Sequence, residues 1–186
     1  ACDLARSVIF TPIATGQTLM GQIREPRPTL QIMAVFSRYE TALDWSRTRA
    51  GQVWSPLALT SDVFDFDETP YYEKTMGPSL KKQLLAFEQL TDAGLLAEIK
   101  QETNQWEEEY VREHDWPEPR PLNLDPGYLT EAKLVLATTK DRDHRIYLGA
   151  GIFAEVTLFY HAGRWQDRPW TYPDYQRREY HDFFSR

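Results

Sequence analysis

The hydrophobic positions near the start of the chain predict one buried strand followed by a helix. Residues 30–36 are almost wholly apolar, which is typical of a central strand covered on both faces. The next four residues fit a capping box, in which Ser37 is the N-cap and Glu40 is the third helical residue. We therefore predict a helix that runs to about Ala50, where Gly51 is suited to end it in a left-handed conformation.

The middle of the chain predicts two more strands and a long helix. Residues 57–66 have the pattern of a strand with a polar end. Residues 80–90 fit either a helix or a buried strand, and we favour the strand. Asp92 is suited to cap a helix that runs to about His114. The apolar stripe of that helix consists of Leu95, Ile99, Trp106 and Tyr110.

The clearest β-hairpin lies in the last third of the chain. Residues 145–148 and 152–160 flank the glycine-rich loop Gly149-Ala150-Gly151. A three-residue loop places Arg145 opposite Glu155, whereas a two-residue loop shifts the pairing by one residue. We favour the first register because it collects apolar side chains on one face. That face comprises Ile146, Leu148, Ala154, Val156 and Leu158.

Around the hairpin, the pattern predicts further short elements. Residues 131–139 are either a strand or a short helix. A turn at Ala162-Gly163 returns a short strand through Trp165, and the aromatic stretch 170–184 is expected to pack back on the body of the protein.

The order of these elements, β-α-β-β-α followed by more strands, predicts an α+β fold, a two-layer sandwich. A ferredoxin-like core with a C-terminal β-hairpin extension is the first interpretation. Residues 30–186 are expected to form a single domain. Residues 1–29 are expected to be an extended or disordered tail, and Met20 is an alternative start of the natural protein.

Composition narrows the class of protein and its compartment. Apolar residues make up 41% of the 186 residues, which suffices for a core. Cys2 is the one cysteine, so no disulfide forms within the chain and a reducing, cytoplasmic location is predicted. The longest plain apolar run, Ile32 to Phe36, is too short to span a bilayer, so we predict no membrane association.

The charge distribution favours small anions over nucleic acids as partners. The net charge of −7 argues against a general nucleic-acid binder, which needs clustered Lys and Arg for phosphate contacts. From Thr138 to the end, 8 Lys and Arg stand against 7 Asp and Glu, about +1, so the remainder carries about −8. An anion is therefore repelled least in the C-terminal quarter.

Several catalytic signatures are absent from the sequence. The chain has no P-loop, no H-E-x-x-H and no G-x-S-x-G. Gly149-Ala150-Gly151 lacks the third glycine and the following helix of a dinucleotide fingerprint. No histidine begins a His-x-Thr/Ser motif, which excludes the phosphoesterases that use a pair of them. No metal-ligand set is predicted, and no cofactor follows from the residues.

The segment from Lys140 to Arg145 is the strongest candidate for a site. Three cations and an imidazole this close can hold a phosphate or a carboxylate. We predict that Lys140 and Arg145 bind the anion, a nucleotide or a phosphate ester, and that His144 moves a proton. A polar turn with internal salt bridges, including a cross-strand pair between Arg145 and Glu155, is the competing interpretation.

Four residues outside this segment complete the predicted site. Asp125 or Glu155 would orient His144 or act as a base, while Tyr128 and Tyr147 would form the walls. Asp125 lies in Asp-Pro-Gly, which is turn chemistry, so capping of its own turn is the alternative role.

Two other features have structural and functional interpretations. The carboxylates of Asp62, Asp65, Asp67 and Glu68 could bind Mg²⁺ or Ca²⁺, but a solvated strand end is favoured. The aromatic C-terminal stretch could stack on bases, but core packing or a protein interface is favoured. The second functional hypothesis is therefore a non-catalytic protein-interaction or homo-oligomeric module.

Several strings in the chain resemble one known family. They include Leu-Asp-Pro-Gly-Tyr-Leu from Leu124, His-Arg-Ile-Tyr-Leu from His144 and Trp-Thr-Tyr-Pro-Asp-Tyr from Trp170. In this order they are similar to the family called domain of unknown function 4416, over nearly everything from Met20 onward. The resemblance implies a soluble prokaryotic protein with no assigned activity. Some members are labelled GTP-binding, a label that no P-loop or N-K-x-D string supports here.

Overall fold

The apolar run from residue 30 lies at the centre of one antiparallel sheet in the computed structural model, which describes residues 21–113 and 115–186. The N-terminal part of the predicted tail, with Cys2 and Met20, lies outside the described residues, as does His114. Residues 21–28 form neither helix nor strand and are exposed. The predicted fold class, α+β, is confirmed for the described residues.

The strands are β1 (Thr29–Ser37), β2 (Leu57–Thr60), β3 (Phe64–Phe66), β4 (Leu80–Thr91), β5 (Asn123–Leu129), β6 (Lys133–Thr138), β7 (Ile146–Gly149), β8 (Ile152–His161) and β9 (Arg164–Asp167). The helices are α1 (Glu40–Val53), α2 (Glu73–Met76), α3 (Leu96–Glu113) and α4 (Arg178–Ser185), and short 3₁₀ turns span Pro70–Tyr72, Ala93–Leu95 and Pro173–Gln176.

All strand pairs in the described sheet are antiparallel. The order across the sheet is β2-β4-β1-β5-β6-β8-β7, and β3 and β9 add to β4 and β8 respectively. The two halves therefore meet at the pairing of β5 with β6, which is short. Only Gly127, Tyr128 and Leu129 of β5 have partners on β6.

Alternation along the central strands sends side chains to two separate cores. On one face, β1 and β4 pack against α1 and α3 through Met33, Val35, Leu85 and Phe87. On the other face, the same strands contact Tyr175, Tyr180, Phe183 and Phe184 of the C-terminal stretch. The predicted packing of that stretch on the body is confirmed, and α4 adds a partial third layer to the two that were predicted. Each large buried side chain contributes about 1.5–3 kcal/mol.

The predicted capping box before α1 is wrong. Ser37 is the last residue of β1, and its hydroxyl accepts a hydrogen bond from the Tyr39 N–H at 3.0 Å and donates to the Pro121 carbonyl at 2.6 Å. The serine thus joins two distant segments, and the helix begins only at Glu40. Gly51 does not end the helix either, because α1 continues to Val53.

The middle elements agree with the pattern, with two corrections. Residues 80–90 are a strand, β4, as favoured. The single strand predicted over 57–66 is instead β2 and β3, interrupted where the Ser61 hydroxyl accepts the Leu84 N–H at 2.9 Å. Asp92 accepts the Gly94 N–H at 2.8 Å and so caps the turn that leads into α3. Leu95 is exposed rather than part of the apolar stripe.

The register of the β7–β8 hairpin is as predicted. Ile146 pairs with Ala154, which continues to Arg145 opposite Glu155. All three loop residues have positive φ, namely Gly149 with 124°, Ala150 with 52° and Gly151 with 77°, and β7 has an irregularity between Tyr147 and Gly149. The predicted burial of Ile146 and Leu148 is wrong, because β7 is the last strand and no layer covers it.

The predicted turn at Asp-Pro-Gly is wrong, because these residues lie within β5. Glycine is required at position 127 because the backbone of β6 passes close to it, and not because the chain bends there. A Cβ atom at this position would lie 2.3 Å from the carbonyl oxygen of Val135 on β6. Within residues 131–139, for which a helix was the alternative, Lys133–Thr138 form this neighbouring strand.

We expect Gly127→Ala to lower the free energy of unfolding by about 1–3 kcal/mol, because the added methyl group overlaps backbone that cannot move alone. Gly51→Ala is the matched control. Its Cβ would meet nothing within 4 Å, and alanine in a helix interior stabilises by about 0.5–1 kcal/mol. Urea unfolding followed by tryptophan fluorescence measures both. Equal stability of Gly127→Ala and the wild type would contradict the close approach.

Candidate functional site

A pocket of about 490 Å³ lies where β5 and β6 separate. Residues 123–126 pair with β1 but have no partner on β6, and the far end of β6 continues into the loop before β7. Side chains from both strands, from α3 and from the Tyr71 and Tyr172 segments line the resulting opening. We call it the split-sheet pocket, and its volume is in the range of small-molecule sites.

Charged side chains dominate the wall of the split-sheet pocket. The cationic residues are Lys82, Lys100, Arg120, Lys140, Arg142 and Arg145, and the acidic residues are Glu68, Asp125, Glu155 and Asp174. Cations therefore exceed carboxylates by two in a chain whose net charge is −7. The net charge of the pocket lining is therefore opposite in sign to the net charge of the protein.

The floor of the pocket contains a buried ion pair. The Lys82 Nζ atom donates to the Asp174 carboxylate at 2.5 Å, and both side chains are only 4% exposed. Four aromatic rings surround the ammonium, with centroids between 4.4 and 5.9 Å from Nζ. They belong to Phe36, Phe66, Tyr175 and Tyr180. This pair fixes the C-terminal 3₁₀ turn to β4 and leaves little of either charge for a ligand.

Helix α3 takes the place of the missing strand along the free edge of β5. The Lys100 ammonium donates to the Leu124 carbonyl at 2.6 Å, and the Glu107 carboxylate accepts the Leu124 N–H at 2.7 Å. Burial raises the pKa of Glu107, with Lys100 opposing that effect. Backbone N–H and carbonyl groups alternate in direction along a strand, so the backbone of Pro126 faces the same side as that of Leu124. Because proline has no N–H, no donor is left without a partner there.

Asp125 faces the pocket beside this junction. Its carboxylate lies 3.5 Å from the Lys100 ammonium. Nearby, the Arg120 guanidinium bonds to the side-chain oxygen of Asn123 and, at 3.1 Å, to Glu107. The Asn123 side-chain nitrogen is buried and has no hydrogen-bond partner among the described residues. It is therefore a donor that the protein itself leaves unused.

Arg145 organises the opposite wall. Its Nε atom donates to the buried Glu155 carboxylate at 2.7 Å, and its two terminal nitrogens donate to the Lys140 carbonyl at 2.7 Å and the Tyr172 hydroxyl at 2.6 Å. Glu155 also accepts from Thr157 at 3.2 Å. Arg145 thus anchors the loop that carries Lys140 to the body of the protein.

Two cations at the rim of the pocket are exposed. The Lys140 ammonium lies 2.9 Å from the Tyr71 hydroxyl and 4.4 Å from the centre of its ring. This contact lowers the pKa of Tyr71, chiefly through the hydrogen bond from Lys140. Arg142 also lines the pocket and is exposed. These two are the exposed cations of the pocket lining, whereas its other cations are buried or half-buried.

Four of the seven sequence-predicted site residues line the split-sheet pocket: Lys140, Arg145, Asp125 and Glu155. His144 lies behind the pocket wall, with its Nε2 atom 3.3 Å from Glu155 and its ring stacked on Trp170 at 5.0 Å.

The two tyrosines predicted to form the walls of the site, Tyr128 and Tyr147, do not line the pocket. Tyr128 lies on the other face of the sheet, packed near Leu96 and Val135. Tyr147 is 60% exposed on β7 and contacts the Phe153 ring. The residues that take their place are Tyr71, Tyr72 and Tyr172.

Sequence reasoning missed three buried charges in the pocket, although two of them carry a signal. Lys82 falls on the same strand face as Leu80, Leu84 and Ala86, where a charge is out of place. Lys100 falls on the buried stripe of α3. Asp174 carries no such signal, because it follows a proline in an irregular segment.

Two of the four acidic residues near β3 form ion pairs. Asp65 bonds to Lys81, and Glu68 lies 3.1 Å from Arg177. Within residues 21–113 and 115–186, no three His, Cys, Asp or Glu side chains are grouped so as to hold a metal ion. None of the helices in the described part is long and apolar enough to cross a membrane.

Comparison with known proteins gives one match. The family model described as domain of unknown function (DUF4416) matches residues 27–186, nearly the whole chain. No curated protein and no solved structure matches. The chemistry of the site must therefore be argued from the residues of this chain.

We expect Lys82→Met to lower the free energy of unfolding by about 3–5 kcal/mol, because it leaves the Asp174 carboxylate buried and uncompensated. Asp174→Asn leaves the ammonium unpaired and should have an effect of similar size. The double variant should recover much of the loss. Lys81→Met is the matched control on the same strand, and it should change the free energy of unfolding little, since its pair with Asp65 is exposed to solvent. Additive effects in denaturant unfolding would show that the pair is not coupled.

Proposed function

The chain belongs to the domain of unknown function 4416 family, which brings no activity with it, and we propose that its split-sheet pocket binds a small anionic ligand, a nucleotide or a phosphate ester. The single observation that carries the proposal is the excess of cationic side chains in a pocket of an acidic protein. Such a pocket concentrates anions by its field and holds them by charge-assisted hydrogen bonds.

The cations of the pocket have different roles in this proposal. Lys82 and Lys100 are buried and bonded to acceptors of the protein, so they add to the field without contacting the ligand. Lys140 and Arg142 are exposed and contact the anion directly. Arg145 holds the loop in place, and each of its terminal nitrogens retains a second hydrogen for a ligand oxygen.

The catalytic roles of His144, Asp125 and Glu155 stay predictions. The distance of 3.3 Å between His144 and Glu155 supports a role of Glu155 in orienting the imidazole. Because His144 is outside the pocket lining, a proton would reach a ligand through Glu155, which faces the pocket. Binding is therefore the part of the function that the geometry supports best.

We further propose that β1-α1-β2-β4-α3-β5 is a ferredoxin-like core. The order β2-β4-β1-β5 and the packing of both helices on one face support it. Strands β6 to β9 are then the C-terminal extension, and residues 30–186 a single domain. A cytoplasmic location, a prokaryotic source and a lack of nucleic-acid or membrane partners belong to the same proposal. The single cysteine supports the location, the family resemblance the source, the net charge of −7 the lack of nucleic acid and the short apolar runs the lack of a membrane partner.

Isothermal titration calorimetry with inorganic phosphate, pyrophosphate, ribose 5-phosphate and nucleoside phosphates tests ligand binding. We expect at least one of them to bind, and Lys140→Ala and Arg142→Ala each to weaken binding roughly 10-fold, the effect of one lost charge-assisted contact. Affinity should fall as salt is raised, because the rim contacts are exposed.

Arg178→Ala is the control for these variants, because Arg178 is an exposed arginine of α4 outside the pocket lining. Binding by this variant should equal that of the wild type. The proposal is overturned if no compound binds, or if loss of Arg178 weakens binding as much as loss of the rim cations.

The second candidate function, a homo-oligomeric module, is favoured by the edge strand β7. In the described sheet this strand pairs only with β8, and Ile146 and Tyr147 are 70% and 60% exposed. An exposed apolar edge is suited to pairing with the same strand of a second copy.

We expect this module to give a dimer whose fraction rises with concentration in light scattering, and Ile146→Lys to shift it to monomer. Val53→Lys, which adds the same charge at an exposed apolar position of α1, should leave the dimer intact. A wild-type monomer at every concentration would rule this module out.

A further inference from the structure

We propose that the ligand of the split-sheet pocket carries a planar aromatic group, which packs against the rings of Tyr71 and Tyr172 while Lys140 and Arg142 hold its phosphate. This inference rests on the proposed anion binding and narrows the ligand class to aromatic phosphates, of which nucleotides are the most common. Plain sugar phosphates would then be weak ligands.

Tyr71, Lys140, Arg145 and Tyr172 form a continuous arc of hydrogen-bonded residues in the pocket wall, and Arg142 lines the same pocket. Lys140 bonds to the Tyr71 hydroxyl through its ammonium at 2.9 Å and accepts from Arg145 through its carbonyl at 2.7 Å. The same guanidinium donates to the Tyr172 hydroxyl at 2.6 Å. Each tyrosine hydroxyl therefore accepts a hydrogen bond from a cation, Lys140 for Tyr71 and Arg145 for Tyr172. The Arg145 guanidinium also links Tyr172 to the Lys140 carbonyl.

Among the aromatic residues that line the pocket, Tyr71 and Tyr172 are the exposed ones, and Tyr72 is half-buried. Tyr71 is 64% and Tyr172 is 39% exposed. Phe36, Phe66 and Tyr175 are buried around the Lys82 ammonium and have no free face of comparable size. Two exposed tyrosines near exposed cations offer a surface on which an aromatic ligand can stack while the cations contact its phosphate.

The hydroxyl groups also remain able to donate. Both phenol oxygens accept a hydrogen bond from a cation, so each keeps its own hydrogen for a ligand oxygen. Burial and the Glu155 carboxylate raise the pKa of Tyr172 to about 12, which keeps this phenol protonated at neutral pH. A phosphate oxygen near the arc can therefore accept from a phenol as well as from Lys140.

The buried donor at the base of the pocket is consistent with the same ligand class. The Asn123 side-chain nitrogen has no partner within the described residues, and Asp125 presents an acceptor two residues along the same strand. A donor and an acceptor in one cavity suit the polar edge of a heterocycle. A sugar phosphate could use these groups, but it could not use the rings.

Calorimetry with paired ligands tests the inference. We expect AMP, GMP, CMP or UMP to bind at least 10-fold more tightly than ribose 5-phosphate, which has the same charge and lacks the base. Phenyl phosphate tests whether an aromatic ring without a nucleobase is sufficient. Tighter binding of phenyl phosphate than of inorganic phosphate also supports the inference.

Tyrosine variants then locate the stacking surface. Tyr172→Leu and Tyr71→Leu should each reduce the preference for the aromatic ligand roughly 5-fold or more, whereas Tyr172→Phe and Tyr71→Phe, which keep the ring, should preserve it. Tyr71 is so exposed that its variants are expected to fold even if Tyr172→Leu does not.

The possible failures are distinguishable. Equal binding of ribose 5-phosphate and every nucleoside monophosphate, or an unchanged preference in both leucine variants, overturns the inference but leaves anion binding intact. Failure of all phosphates to bind overturns both.

Discussion

The backbone of Leu124 is the constraint on which the rest of this structure depends. In an unbroken sheet its N–H and carbonyl would bond to the next strand, but here they bond to Glu107 and Lys100 of α3. A buried peptide group cannot be left without partners, so the opening between β5 and β6 exists only because the helix supplies both. The opening that forms the pocket therefore depends on these two hydrogen bonds from α3.

Buried charge links the functional wall of the pocket to the stability of the fold. Glu155 is 3% exposed and accepts from Arg145, which in turn fixes the Lys140 loop. Lys82 and Asp174 perform the same task for the C-terminal turn that carries Tyr172. The segments that carry Lys140 and Tyr172 are thus held in place by buried ion pairs within the protein.

Much of the sheet could be predicted from sequence because alternation and apolar runs report burial directly. The β1 and β4 strands and the register that sets Arg145 opposite Glu155 followed from such patterns. The strand at Asp-Pro-Gly did not follow from such a pattern, because these three residues are typical of a turn. Its true causes, the Val135 carbonyl near Gly127 and the helix beside Leu124, are tertiary and leave no local signal.

The candidate site was predictable only in part, for the same reason. The basic segment identified Lys140 and Arg145, and the hairpin identified Glu155. Tyr71 and Tyr172 come from segments 69 and 27 residues away from the cations they contact, and no periodicity joins them. The burial of Lys82 within an apolar strand face was visible in the sequence as a violation of alternation, and such violations are useful pointers to pockets.

The proline of β5 has a lasting consequence for the shape of the molecule. Pro126 follows the last paired residue, Gly127, on the side of the opening, and it has no amide hydrogen to donate to β6. Extending the β5–β6 pairing by one residue would therefore leave a β6 carbonyl without its ladder donor, which opposes closure of the gap between the strands.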